Sequence, residues 1–231
     1  MKYKKIVPAL FICRINRFIA EVKIDDKTET VHIKNTGRCK ELLIKGAKVY
    51  LSLSDNPSRK TAYDLIAVEK EMENRPPLLI NMDSSAPNDA AAEWIKGGML
   101  PEYALLKREV KYENSRFDFY AEYDNKKAFI EVKGVTLEKE GIALFPDAPT
   151  TRGIKHINEL ITAKKNGYEA YILFVIQMKD IKSFSPNNET HKEFGDALKK
   201  AYDAGVNIIC CDCLVKPDEM IIDSQIKVIN L

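Results

Sequence analysis

Two adjacent prolines, Pro76 and Pro77, divide a chain of 231 residues into parts with different hydrophobic periods. Proline has no backbone N–H to donate, so such a pair cannot continue a central strand. Ahead of the pair, apolar residues recur with the period of strands; behind it, helical periods alternate with short apolar runs. Two small domains, 1–80 and 81–231, are therefore expected rather than one large one. Charge divides in the same place. Residues 1–80 carry 16 basic and 10 acidic side chains (net +6), and residues 81–231 carry 20 and 24 (net −4), an asymmetry the whole-chain net charge of +2 conceals. A basic front raises the expectation of a polyanionic partner. With 45% hydrophobic and 30% charged residues the chain can build a core, which excludes disorder, and 10 Gly with 10 Pro exclude a collagen-like fibre.

Residues 8–80 read as β throughout. The run from Ala9 to Val22 is apolar and polar by turns, Asp25-Asp26 marks a turn, and Thr28–Ile33 resumes the alternation. Asn35-Thr36-Gly37 signals a loop, Cys39–Leu43 one helical turn, and Ala47–Leu53 and Thr61–Val68 two further strands. Short strands at close spacing predict a small barrel. The first twenty residues combine a basic lead with apolar residues. Arg14, Asn16 and Arg17 interrupt the run, which is too short to span a bilayer, and no clean cleavage site follows. The five cysteines are an odd number, with three crowded at 210, 211 and 213, a poor disulfide framework. Reduced thiols in a cytoplasm are expected, with small buried side chains as the role of the three.

Behind the prolines, Pro87 opens a helix over Asn88–Lys96 that stops at Gly97-Gly98. Strands follow over Leu105–Tyr112, Arg116–Tyr123 and Lys127–Val135, the last two joined by a turn at Asp124-Asn125. Thr150 or Thr151 caps a helix to Asn166. Tyr168–Ile176 is almost continuously apolar, as a strand buried on both faces is. A helix over Thr190–Ala204 and a buried strand over Val206–Val215 complete an α/β domain with a mixed sheet.

The sharpest chemical constellation is Asp118, followed thirteen residues later by Glu131-Val132-Lys133. Glu131 and Lys133 are two apart on one strand and share a face; Asp118 lies on the preceding strand of the same hairpin. Two carboxylates completed by water and a backbone carbonyl make a hard oxygen site suited to Mg²⁺ or Mn²⁺. The lysine can orient an attacking water and steady charge on a phosphate, which is the apparatus of metal-assisted phosphodiester hydrolysis. The competing reading is a solvent-facing ion pair on an ordinary strand. Accessory candidates are Glu109 on the strand before, Gln177 at the end of a buried strand, and Asp147 and Arg152 in the long segment Gly134–Gly153, beside a helix start able to hold phosphate. A capping role for that segment competes with this, and His156 reads as a packed or surface histidine. In the first part, Arg14, Arg17, Lys34, Arg38 and Lys40 cluster around the 35–37 loop near Phe11 and Phe18, as in single-strand-binding barrels. Alternation alone would put both phenylalanines in the core.

The stretches NRFIAEV (16–22), VHIKNTGRCKELL (31–43), SRFDF (115–119), FIEVKGVTLEKEGIALFPDAPTTRGIKHINEL (129–160) and GYEAYILFVIQ (167–177) resemble the sugar fermentation stimulation protein A family. The resemblance covers nearly the whole chain. It implies an N-terminal OB-like β-barrel and a C-terminal α/β domain similar to the PD-(D/E)-x-K nucleases. Asp118, Glu131 and Lys133 then stand at the nuclease positions, with Asp118 and Glu131 holding Mg²⁺ or Mn²⁺. It also implies DNA binding; the alternative it leaves is a non-catalytic regulator of sugar (maltose) metabolism genes.

Overall fold

The computed structural model describes every residue except Thr36 and Tyr103. The first part is a barrel of β1 (Ile6–Arg14), β2 (Ile19–Ile24), β3 (Lys27–Ile33), β4 (Lys48–Leu53) and β5 (Tyr63–Lys70), ordered β3-β2-β1-β4-β5 and closed by a parallel β3–β5 pairing. Closure removes both exposed sheet edges. Side chains reinforce it where His32 pairs with Asp64. The His32 ring nitrogen Nδ1 lies 2.8 Å from Asp64 Oδ1, and Arg59 grips the same carboxylate at 2.9 and 2.7 Å. Alternation fills the interior with Ala9, Phe11, Ala20, Val22, Val31 and Ile33.

The expected single run from Ala9 to Val22 is in fact two strands. Asn16 breaks it, because its side-chain oxygen accepts the backbone N–H of Phe18 (2.9 Å) and Ile19 (3.1 Å) and closes a local turn. Beyond the prolines the chain returns to the barrel. β6 (Leu78–Asn81) pairs antiparallel with β5, from Lys70↔Leu78 to Ala67↔Asn81, so the chain leaves this sheet after Asn81. The Thr36 step of the expected 35–37 loop lies outside the described residues.

The second part begins with α1 (Ala86–Trp94), which has proline in its first turn and runs into a π-helical turn at Ile95–Met99. Its main sheet holds β7 (Leu105–Tyr112), β8 (Ser115–Tyr123), β9 (Lys126–Val135), β12 (Glu169–Ile176), β14 (Asn207–Lys216) and β15 (Glu219–Gln225), ordered β15-β14-β12-β9-β8-β7. β9, β12 and β14 are parallel and the outer pairings antiparallel, a mixed sheet. The crossovers run through α2 (Thr151–Lys165) and α3 (Asn188–Asp203). The Thr150 hydroxyl oxygen accepts the Gly153 N–H at 3.0 Å and caps α2. Phe117, Phe119, Phe174, Phe184 and Phe194 are fully buried, each stabilising the fold by about 1.5–3 kcal/mol. The three clustered cysteines are buried in β14, and all five in the chain are free thiols.

The segment 134–153, expected to be a long loop, contains a hairpin of β10 (Leu137–Lys139) and β11 (Ile142–Phe145). With β13 (Ser183–Pro186) and β16 (Lys227–Val228) it forms a small third sheet, ordered β10-β11-β13-β16. Glu138 ties this sheet to the barrel. Its carboxylate is buried, with Lys70 of β5 at 2.5 Å, Arg75 at 3.6 Å and the Gly141 N–H at 2.6 Å. A second tie is Gln177. Its backbone carbonyl accepts the Asn81 N–H, and its side-chain amide donates to the carbonyls of Asn81 (3.0 Å) and Asp83 (3.1 Å). Among the described residues, no helix is long and apolar enough to cross a membrane.

Candidate metal centre

Asp118 stands where two ladders fail together. β8 and β9 pair from Tyr123↔Lys126 to Phe119↔Ile130, and no pair follows. β7 and β8 pair in constant register on both sides of Asp118, but its opposite position, Glu109, has φ +56°, left-handed for a non-glycine, and makes no pair. Asp118 thus lacks a partner on either side within a strand that continues through it. Phe117 packs into the cluster with Ile157 and Leu160 of α2, and Phe119 into the cluster with Ala90 and Ala91 of α1. The aspartate side chain takes up the freed bonding. Its Oδ2 accepts the Val132 N–H at 2.8 Å, and its Oδ1 accepts from the Asn88 amide of α1 at 2.8 Å.

Glu131 and Lys133 project from the same face of β9, as the spacing predicts. Lys133 Nζ and His156 Nδ1 both donate to Glu131 Oε1. The other oxygen, Glu131 Oε2, is buried and has no hydrogen-bond partner among the described residues. Burial pushes the Asp118 carboxyl above its ordinary value, and the adjacent Glu131 charge pushes it further. Burial acts on Glu131 in the same direction, but hydrogen bonding from His156 and the charge of Lys133 outweigh it and hold the group below its ordinary value. The two carboxylates thus meet with opposite shifts. Just past them, Gly134 is required by close approach: a Cβ there would lie 2.5 Å from Gln177 Oε1 and 2.7 Å from Pro87 Cγ.

These residues fit a divalent cation. An orphaned buried carboxylate oxygen is a costly feature unless something occupies it. No group of three or more His, Cys, Asp or Glu side chains forms a complete cage among the described residues. A hard cation held by one or two carboxylates, with water and phosphate as its other ligands, needs none.

The other expected site residues separate. Glu109 is exposed and pairs with Arg116 at 2.9 Å, so it is not part of the centre. Gln177 is occupied by the joint between barrel and sheet. Asp147 is exposed and lines a cavity of about 340 Å³ between the two parts, with Arg17, Gly37 and Gln177. A Cβ on Gly37 would lie 2.6 Å from Asp147 Oδ2, so the two loops touch. Arg152 reaches the centre indirectly, its Nε 3.4 Å from His156 Nε2.

Two of the five expected nucleic-acid cations are structural. Arg14 donates to the backbone carbonyls of Asn16, Arg17, Asn35, Gly37 and Arg38 at 2.6–3.2 Å, which takes up the whole guanidinium fork. Lys34 Nζ donates to the buried Asp83 carboxylate at 2.6 Å. Arg17, Arg38 and Lys40 are exposed and line an open groove of about 590 Å³. Phe11 is buried, but Phe18 is 47% exposed with the Arg17 guanidinium 5.8 Å from its ring centroid, so alternation misplaces it. Asn88 and His156 are the contributors that sequence reasoning missed. Asn88 directly follows the helix-opening Pro87. His156 is 6% exposed, packed as expected, and what the sequence did not show is its bond to Glu131. Its only signal was its place one helical turn beyond Arg152.

A closed five-stranded barrel joined to a mixed-sheet α/β domain with a carboxylate–lysine centre defines the class. Residues 85–219 match the family described as the sugar fermentation stimulation protein RE domain, and residues 12–75 match the SfsA N-terminal OB domain. The chain belongs to the sugar fermentation stimulation protein family. It is 56% identical over 229 residues to a sugar fermentation stimulation protein homolog of Ruminiclostridium cellulolyticum, covering 99% of each chain. The homolog of Clostridium beijerinckii is 56% identical over 230 residues, covering 99% of this chain and all of that one. A solved structure of Pyrococcus furiosus SfsA in complex with Ca²⁺ superposes with a TM-score of 0.85 at 30% identity, covering 99% of this chain and 97% of that one.

Proposed function

We propose that the protein is a divalent-metal-dependent phosphodiesterase of the PD-(D/E)-x-K type acting on nucleic acid, most readily DNA. The observation that carries this is the unpartnered, buried Glu131 Oε2 beside the Asp118 carboxylate, with Lys133 on the same face. Mg²⁺ or Mn²⁺ bound by Asp118 and Glu131 would lower the pKa of a water and polarise a phosphoryl oxygen. Asn88 and the Val132 N–H orient Asp118, and His156 fixes the rotamer of Glu131. Lys133, on the same face, would hold the attacking water and balance charge growing on phosphate. The Pyrococcus furiosus structure, solved in complex with Ca²⁺, supports a hard cation in this reading. Free thiols throughout support a reducing compartment such as the cytoplasm.

The test is incubation of single- and double-stranded DNA and RNA with Mg²⁺ or Mn²⁺. Cleavage is expected in the wild type and lost in Asp118→Ala and Glu131→Ala; cleavage unchanged in both variants refutes the reading. The exposed Arg17, Arg38 and Lys40 beside Phe18 favour a second reading, a non-catalytic DNA-binding regulator of sugar-metabolism genes. It predicts salt-dependent binding that neither Mn²⁺ nor the Glu131→Ala change affects.

A further inference from the structure

Beside His156, the turn between β7 and β8 and the start of α2 line an open cavity of about 550 Å³. Lys111 and Arg116 line it from the strands, Arg152 and Lys155 from the helix, and His156 forms the wall shared with the metal centre. We infer that this cavity is a phosphate-binding subsite, which seats a phosphate of the nucleic acid next to the one that is cleaved. The inference rests on the nuclease reading above and deepens it.

Three independent features point to an anion. First, Ser115 lines the cavity while only 8% exposed, and its Oγ, shielded from solvent, has no hydrogen-bond partner among the described residues. A buried hydroxyl without a partner is costly, and a phosphate oxygen would accept its proton. Second, the first turn of α2 carries Arg152 and no acidic residue. The positive end of a helix dipole disfavours a cation there, and a bound anion reverses that cost. Third, Lys111 has no ion pair among the described residues, and its neighbours are engaged without being neutralised. Arg116 meets the exposed Glu109 (2.9 Å). Lys155 donates to the Asn114 backbone carbonyl at 2.7 Å, with Glu159 at 3.8 Å. Four cations therefore share two carboxylates among the described residues. The Lys155–Asn114 bond fixes the turn against the helix, so the subsite is preformed.

A backbone diester and a terminal monoester offer the same chemistry, and the experiment separates them. Binding of a short single-stranded oligodeoxynucleotide, with a 5′-phosphate or a 5′-hydroxyl, is measured by fluorescence anisotropy in EDTA, where no cleavage occurs. The wild type is compared with Lys111→Glu/Arg116→Glu and with a charge-matched control on α3, Lys199→Glu/Lys200→Glu. Melting temperatures establish that all three are folded. The double variant is expected to bind about tenfold more weakly than the control. Preference of the wild type for the 5′-phosphate, abolished in the double variant, assigns the subsite to a terminal phosphate. An equal loss on both oligonucleotides assigns it to a backbone phosphate. Affinity equal to that of the control on both overturns the inference. Wild-type cleavage with Mn²⁺, run in parallel, keeps the outcomes distinct. Cleavage with unchanged binding in the double variant removes the subsite and leaves the nuclease reading. Absent cleavage with weakened binding does the reverse. A wild type that binds neither oligonucleotide overturns both.

Discussion

Glu131 and Glu138 lie seven residues apart, both are buried, and both bond to a lysine, yet they hold opposite positions in the molecule. Glu138 is saturated. Lys70 and the Gly141 N–H engage its two oxygens, Arg75 stands near, and the contacts bind the third sheet to the barrel. Glu131 is lopsided, with Lys133 and His156 crowding one oxygen while the other has no partner. A buried carboxylate with both oxygens bonded holds elements together. One with an orphaned oxygen, next to a second carboxylate, is what we propose as a socket for a cation.

Substitution should separate the two. The largest effect is expected at the socket: Lys133→Ala lowers cleavage by about 10²–10⁴-fold, the range for losing a positioned proton-handling group. Glu131→Gln costs at least as much, and both variants stay folded by circular dichroism. At the clamp the effect moves to stability. Glu138→Ala leaves Lys70 partly buried without its partner, and denaturant titration should show a loss of about 3 kcal/mol. Cleavage per folded molecule should be unchanged.

The clamp also carries a pH signature. Burial pushes Glu138 up, but bonding to Lys70 outweighs this and depresses the carboxyl below its ordinary value near 4.5. Its contribution is therefore complete above that value and fades as pH falls through the folded-state value. Glu138→Gln should flatten the acid limb of the stability curve. A variant curve that tracks the wild type between neutral pH and 3 would remove Glu138 from its role.

His156→Ala is next in size. It should weaken divalent-ion binding 10–100-fold in a calorimetric titration, because the residue orients a ligand without being one. The smallest effect belongs to the barrel. Lys40→Ala should reduce the salt dependence of DNA binding by about one phosphate contact, while Arg14→Ala should act through thermal stability, since Arg14 holds a loop.

The grouping of Asp118, Glu131 and Lys133 was legible in the sequence because its signal is local. Asp118, Glu131 and Lys133 follow from strand alternation across one hairpin, and three strand positions were correct to within about a residue. What escaped depended on distance in the chain. Asn88 reaches Asp118 from 30 residues away, and Asn81 joins Gln177 across 96. The hairpin of β10 and β11 is hidden by the prolines and glycines around it, and its strands are three and four residues long. Basic residues in the 14–40 region read alike as charge. Only the carbonyl cage around Arg14 and the buried Asp83 behind Lys34 separate loop staples from surface cations. Glu109 failed for a converse reason: alternation placed it on the strand next to Asp118, and its left-handed backbone sends it to Arg116 instead.

The most direct test of the account is calorimetric titration of Mn²⁺ into the metal-free protein and the Asp118→Asn, Glu131→Gln and Glu138→Gln variants. One ion should bind to the wild type and to Glu138→Gln with matching affinity, and binding should be lost in Asp118→Asn and Glu131→Gln. Equal binding by all four proteins, or by none, would contradict the assignment of the orphaned Glu131 oxygen to a metal.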